Sequence, residues 1–304
     1  MINVAVAGGT GGVGRTIVEV LATSPHNAFI LSRKAVKHMI TVDYSDIDAL
    51  VETLESNAID TVISAFSVNC DSPSKSQANL IEASKRSEPT KRFIPSSFAI
   101  PYPVEALEVL PQLKDYFAAI ETLKASHLEF TLLYSGIFLD YFGGPQLKSY
   151  LKPNVFVVDL VNKVATIPGD GNTPVAFTYT FDLAKFIFAS LELEQWPEES
   201  KVVCDSLTWN EFVSLAEKTL GTKLETHFDP VEKLKRFEIT ELPGHQALYK
   251  EFPKQAFQRF MSIFGLFTAD GISNISREGG LNQGFPEIKV LTVRGLLERH
   301  WKGI

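Results

Sequence analysis

The chain of 304 residues is poor in several features that would mark out whole classes of protein. It has two cysteines, Cys70 and Cys204, too few for a disulfide framework and without Cys or His neighbours at metal-ligand spacing. Both read as packing residues suited to a reducing compartment. The six histidines include no HxxxH pair, so no metal site is expected. A basic excess is also missing, and the net charge of -7 argues against a nucleic-acid surface. Two short basic pairs, Lys85-Arg86 and Lys91-Arg92, read as solvated helix and strand ends. No apolar run reaches the roughly 18 to 20 residues that cross a bilayer. Nor does a charged stretch followed by an apolar one open the chain, so no membrane partner is expected and a cytoplasmic location is the default. What remains, 45% apolar and 21% charged, is ordinary for a globular protein. Its length suits one large α/β domain or a domain with an appended lobe.

Ile2 to Ala7 is a nearly continuous β-prone run of the kind a buried parallel strand needs. Glycines follow, and then Arg15 to Thr23 carries Ile17, Val18, Val20 and Leu21 at helical spacing. Further strands are expected over 28–32, 38–42, 61–65, 92–95 and 130–134. Helices are expected over 46–55, 74–87 and 113–126. Repeated β-α-β with short connections forces parallel strands, and right-handed crossovers place helices on both faces. The fold class is therefore α/β with a doubly wound parallel sheet.

After about Phe142 the rhythm changes. Gly143-Gly144-Pro145 breaks the chain, short strands are expected near 154–158 and 164–168, and Gly169-Asp170-Gly171-Asn172 signals a turn. A strand at 175–180, a helix at 182–191 and a strand at 201–204 follow. The helix expected over 208–220 carries Thr208 as N-cap, with Glu211 completing a capping box. From Asp229 on, the chain reads as helical and rich in Phe. The expected division is 1–142 and 143–304, the latter a smaller lobe over the sheet's C-terminal edge, with roughly 154–205 partly returning to the sheet.

The most informative segment is Gly8-Gly9-Thr10-Gly11-Gly12-Val13-Gly14, between the first strand and the first helix. A pyrophosphate must approach backbone N–H groups at a helix N-terminus, and a Cβ there would hold it off. Gly8, Gly11 and Gly14 have GxxGxxG spacing, and Gly14 would let the helix pack close to the sheet. Thr10, Gly12 and Val13 belong to the same cradle. The end of strand two distinguishes the dinucleotides. An acidic residue there would bond both ribose hydroxyls, but the sequence offers Ser32-Arg33-Lys34, where a guanidinium can take a 2′-phosphate in bidentate fashion. NADP(H) is favoured over NAD, the alternative being that Arg33 and Lys34 are solvated loop charges. Other strand ends point to the same edge: Asp43 for the adenine amino group, Ala65-Phe66-Ser67 beneath the ribose and pyrophosphate, and Ser96-Ser97-Phe98 near the nicotinamide.

Together these residues resemble the NmrA-like and isoflavone reductase-like branch of the atypical short-chain dehydrogenases. The likeness includes the glycine loop, Ser32-Arg33-Lys34, the run Arg92-Phe93-Ile94-Pro95-Ser96-Ser97-Phe98 and Phe130-Thr131. It continues through Gly136-Ile137-Phe138-Leu139-Asp140-Tyr141-Phe142, Gly169-Asp170-Gly171-Asn172 and Phe181-Asp182-Leu183-Ala184, and is only general beyond about residue 190. The resemblance implies a Rossmann domain and an NADPH-dependent reductase of aromatic or polycyclic metabolites. Non-redox ring chemistry of a cyclase type on bound NADP(H), or an NADP-sensing regulator without turnover, are the alternatives within it. The reductases of that branch carry a lysine on the helix before the Phe-Thr strand, and the matching position here is Tyr116. Lys114, two residues earlier, is turned away by about 200° on a helix. Tyr116 is the candidate proton donor, with a core or pocket-wall tyrosine as the competing reading. Lys114 and Ser97 complete the candidate catalytic set, although Lys114 also reads as a solvated helix charge.

Phe accounts for 22 residues. Phe138, Tyr141 and Phe142 follow the last strand of the first domain. Phe257, Phe260, Phe264 and Phe267 recur at helical spacing, which suits a core stripe as well as a ligand wall. Phe138, Tyr141, Phe142, Phe260 and Phe264 are the candidate substrate residues. An aromatic-lined cleft with few polar groups would suit a small apolar or aromatic metabolite. The chain is expected as a monomer or homodimer.

Overall fold

The structure, a computed structural model, describes residues 1–66 and 71–303, with the backbone alone at 71–74. Ser67 and Cys70 lie outside the described residues. Two compact units share the chain. The first holds residues 1–98, 102–134 and 183–201, and the second holds 99–101, 135–182 and 202–304. The first unit thus ends its opening run at Tyr134, ahead of Phe142, and regains a segment from beyond it. With that segment counted, the units are of nearly equal length, where the sequence suggests a smaller second lobe.

In the first unit β1 (Asn3–Ala7), β2 (Asn27–Ser32), β3 (Ile40–Thr41), β4 (Thr61–Ser64), β5 (Arg92–Ile94) and β6 (Glu129–Phe130) form one sheet in the order β3-β2-β1-β4-β5-β6. Every pairing is parallel, as the β-α-β alternation requires. Val4 to Ala7 and the whole of β4 are buried, which explains their unbroken apolar or small character. The helices α1 (Gly12–Leu21), α2 (Ile47–Ser56), α3 (Asp71–Arg86) and α4 (Leu113–Lys124) make the crossovers. Asp46 caps α2 by accepting from the Ala49 amide at 3.0 Å. The strand order reverses between β1 and β4, so a crevice opens beyond the carboxyl ends of those two strands.

β7 (Leu132–Tyr134) is separated from β6 only by Thr131, whose hydroxyl donates to Ser200 Oγ at 2.9 Å. β7 pairs in parallel with the strand Glu199–Lys201. Arg92 is not the solvated charge its sequence neighbourhood suggests. Its guanidinium donates to Glu129 and to the carbonyls of Leu191, Leu193 and Glu194, and lies 5.0 Å from the Trp196 ring centre. One side chain thus holds the returning segment against β5 and β6.

The second unit carries two three-stranded sheets, one formed by Glu225–Asp229, Val164–Pro168 and Val158–Asp159, the other by Asp205–Thr208, Pro174–Thr178 and Ile137–Phe138. Its core is aromatic, with Phe142, Phe177, Trp209 and Phe212 in mutual edge or tilted contact. The capping box forms as the sequence implies, Thr208 accepting from the Glu211 amide and Glu211 accepting from the Thr208 amide. The strand expected at 201–204 is displaced to either side, because the Val203 amide donates to the Asn282 side chain instead of a neighbouring strand. Asp140 accepts from the Thr180 amide and hydroxyl and from Ser149, at the start of the helix Thr180–Ser190. Asp182 accepts from the Leu291 amide at 2.6 Å. Both motif aspartates therefore hold the fold together. Among the described residues no helix is long and apolar enough to cross a membrane.

Candidate cofactor site

The glycine loop turns tightly against the end of β4. Gly8 has φ +79°, and a Cβ there would stand 2.6 Å from the Ala65 carbonyl oxygen, so this position admits only glycine. The Gly11 amide closes the turn on the Gly8 carbonyl at 3.0 Å. Gly14, in the first turn of α1, packs on that same peptide, where a Cβ would lie 2.8 Å from the Gly8 carbonyl carbon. Gly11 is the N-cap of α1 and has no side chain to accept from the amides beyond it, and the first turn holds no acidic residue. Those N–H groups are orphan donors at the positive end of a helix. Thr10 and Gly11 are exposed beside them, and Gly12 and Val13 are half-buried. A cradle of amides with no Cβ at Gly8, Gly11, Gly12 and Gly14 and no competing carboxylate fits a pyrophosphate.

At the end of β2, Ser32 is buried and its Oγ accepts the Lys34 amide at 3.1 Å, which leaves Arg33 and Lys34 exposed. Arg33 lines an open cleft of about 530 Å³ together with Asp43, Tyr44, Ser45, Lys75, Ser76 and Asn79. Lys34 is not part of its lining. Asp43 Oδ1 accepts from the Ser45 hydroxyl and amide at 2.7 and 2.8 Å, and these bonds hold its carboxyl below the ordinary range. The Tyr44 hydroxyl donates to the Leu31 carbonyl at 3.2 Å, and its ring meets Phe66 edge-on at 5.0 Å. Burial pushes the Tyr44 phenol far up, with Arg33 acting in the opposite sense.

The serines beyond β5 are tied into the backbone. Ser96 Oγ donates to the Phe66 carbonyl at 2.6 Å, and the Ser96 amide donates to Gln77 Oε1, which also accepts from Ser64. Ser97 Oγ accepts the Leu133 amide at 2.9 Å and donates to the Pro95 carbonyl. Both hydroxyl hydrogens are thus used between strand ends. Phe98 is buried beside them in sequence, and Ala65 is half-buried.

Tyr116 sits in the first turn of α4 and is 7% exposed, its ring edge-on to Tyr102 at 5.7 Å and to Phe117 at 5.2 Å. Its hydroxyl faces that of Tyr134, which itself donates to Glu199 at 3.2 Å. Burial pushes the Tyr116 phenol up to about 12, against a lowering by the Tyr134 bond, so it stays neutral at ordinary pH. Lys114 is exposed.

In the second unit a cavity of about 450 Å³ is lined in part by Tyr141, Phe142, Leu147, Leu151 and Trp301. Phe138, Phe260 and Phe264 are not in its lining. Phe142 is buried in the aromatic core and its carbonyl accepts Trp301 Nε1 at 2.7 Å. Phe138 meets Tyr141 edge-on at 6.4 Å, while Phe260 and Phe264 stack on each other at 4.6 Å. Phe257 and Phe267, on the same helix (Lys254–Ala269), are buried. Sequence reasoning overlooked Lys75, Gln77, Asn79, Tyr134 and Glu199. Lys75 and Asn79 are one helical turn apart, but nothing in the sequence says which face of α3 meets the sheet edge.

The sequence matches the NmrA-like family over residues 2–282. The protein named oxidoreductase BOA1 from Botryotinia fuckeliana is 33% identical, over 95% of this chain and 96% of its own length. The one named oxidoreductase swnN from Metarhizium robertsii is 31% identical, over 99% and 98%. Among solved structures, the binary complex of leucoanthocyanidin reductase and NADPH from Vitis vinifera superposes with a TM-score of 0.74, at 20% identity and 98% coverage of both chains. AtPrR2 with NADP+ and (+)-pinoresinol gives 0.75 at 22% identity and the same coverage. At those identities the structures speak for the fold.

Proposed function

The chain belongs to the NmrA-like family, and from that premise we propose that it is an NADPH-dependent reductase of a bulky aromatic or polycyclic small molecule. The observation that carries the reading is the pairing, within one compact unit, of an uncapped glycine cradle with a cleft that presents Arg33. Gly8, Thr10, Gly11, Gly12, Val13 and Gly14 would hold the pyrophosphate. Ser32, Arg33 and Asp43 would hold the adenosine end, with Lys34 outside the cleft that Arg33 lines, and Ala65, Phe66, Ser96 and Phe98 the ribose and nicotinamide side. When bound, NADPH supplies a hydride. This chain's own part is then to orient the acceptor, exclude water and provide one proton.

For that proton we propose Tyr116. The Ser96 and Ser97 hydroxyls donate to backbone carbonyls, whereas the Tyr116 hydroxyl faces another hydroxyl and can reorient. Its raised pKa keeps the phenol protonated across ordinary pH, which suits a donor and not a base. The second unit is the proposed substrate lobe, with Phe138, Tyr141, Phe142, Phe260 and Phe264 as its aromatic contributors. The aromatic ligand named with AtPrR2 supports that substrate class. A panel of aromatic ketones, enones and benzylic ethers, followed by loss of the reduced-nicotinamide absorbance, tests the proposal. Consumption of NADPH with one of them is the expected result. Product formation without cofactor consumption would point to ring chemistry on a bound cofactor, and differential NADP+/NADPH binding without turnover to a sensor.

A further inference from the structure

We infer that Lys75, on a different element from Arg33, is a second determinant of the preference for a 2′-phosphorylated nucleotide, so that two cations lining one cleft receive that phosphate. The inference rests on the cofactor reading above and adds a residue to it. Lys75 and Arg33 are both exposed and line the same cleft. Neither has an acidic partner among the described residues. With the single Asp43 carboxylate in the same lining, the two cations leave the cleft net positive, and an anion between them relieves their repulsion. The orientation of α3 settles which way Lys75 faces. Asn79 Nδ2 donates to the Tyr44 carbonyl at 2.8 Å, so this face of the helix meets the turn beyond β3. Lys75 precedes Asn79 by four residues and so lies on the same face, one turn nearer the carboxyl edge of the sheet.

The lining beside the two cations is fixed in advance. Tyr44 is anchored on the Leu31 carbonyl, and Asp43 is turned onto Ser45 by two hydrogen bonds. The guanidinium can grip two phosphate oxygens and the ammonium can add a mobile point charge. Lys34, although adjacent to Arg33 in sequence, is outside the lining and serves as the control charge.

The test is calorimetric titration of the purified full chain with NADP+ and with NAD+, comparing wild type, Lys75→Gln and Lys34→Gln. Lys75→Gln should weaken NADP+ binding about tenfold and leave NAD+ binding unchanged, with Lys34→Gln close to wild type. Lys75→Arg should keep most of the NADP+ affinity. The inference is overturned if Lys75→Gln binds NADP+ like wild type, if Lys34→Gln loses as much, or if NAD+ binding falls in parallel. Wild type that takes up neither nucleotide would overturn the cofactor reading itself, and this inference with it.

Discussion

Tyr134 donates its hydroxyl hydrogen to Glu199 Oε1 at 3.2 Å, across the pair of strands that closes the first unit. An ionised carboxylate only accepts, so the Tyr134 hydrogen is committed to Glu199 and its oxygen faces Tyr116 as an open acceptor. That oxygen competes with any ligand for the single Tyr116 proton. Replacing Tyr134 by Phe removes that acceptor and frees the proton for a ligand. Turnover in Tyr134→Phe should hold or rise, while Tyr116→Phe should lose about 100-fold with NADPH binding intact. Equal losses in both variants, measured as kcat on the same substrate, would reduce the tyrosine pair to a packing element.

The same burial predicts an alkaline limit to stability. The Tyr116 phenol ionises near 10.0 when free and is pushed up to about 12 in the fold. The folded state thus holds this proton more tightly than the unfolded one. Its contribution is complete below pH 10 and is lost as pH rises toward about 12. The thermal midpoint should fall through that window, and less steeply in Tyr116→Phe. Tyr44, Tyr134 and Tyr141 are raised in the same direction, so the variant should flatten the fall without abolishing it. Identical profiles for both proteins would contradict the assignment.

Two glycines of one loop should respond differently to alanine. Gly11 has φ -83°, and a Cβ there would meet the Gly8 oxygen at an ordinary 3.4 Å. At Gly14 a Cβ would press into the Gly8 peptide and lie 3.0 Å from the Gly9 Cα. Gly11→Ala should fold with little change in thermal midpoint yet bind NADPH more weakly, because the new methyl stands where a phosphate approaches. Gly14→Ala should lose stability by about 1–3 kcal/mol as well as binding. Loss of stability in Gly11→Ala with normal binding would reverse the account.

Arg92 offers a test of the fold apart from the cofactor. Its side chain is 14% exposed and serves one carboxylate and three carbonyls. Arg92→Ala leaves the Glu129 carboxylate without its cation and should cost about 3–5 kcal/mol in chemical denaturation. Lys91→Ala, at an exposed neighbour, should change stability by less than about 0.5 kcal/mol. Similar small effects for both would mean that the returning segment 191–196 is held by other contacts.

The parallel sheet was legible because its strands are short apolar runs at β-α-β intervals, and the glycine loop because backbone sterics leave no other residue at Gly8. The capping box at Thr208 and Glu211 was legible for the same local reason. What escaped depends on contacts distant in sequence. Arg92 looks solvated beside Lys91, since its carbonyl acceptors lie about a hundred residues away. The strand at Glu225–Asp229 has a single apolar residue, Phe228, among four polar ones and gives no apolar run. Asp140 and Asp182 stand in recognisable motifs, but only the structure shows that their oxygens hold Thr180 and Leu291. Lys75 carries no local mark at all.

The central claim, a phosphate cradle at the head of α1 with a cationic cleft beyond β2, is tested most directly by calorimetry on cofactor-stripped protein. NADPH should bind at least about tenfold more tightly than NADH, with the difference shrinking as salt is raised. No measurable uptake of NADPH or NADP+ by folded protein would contradict it.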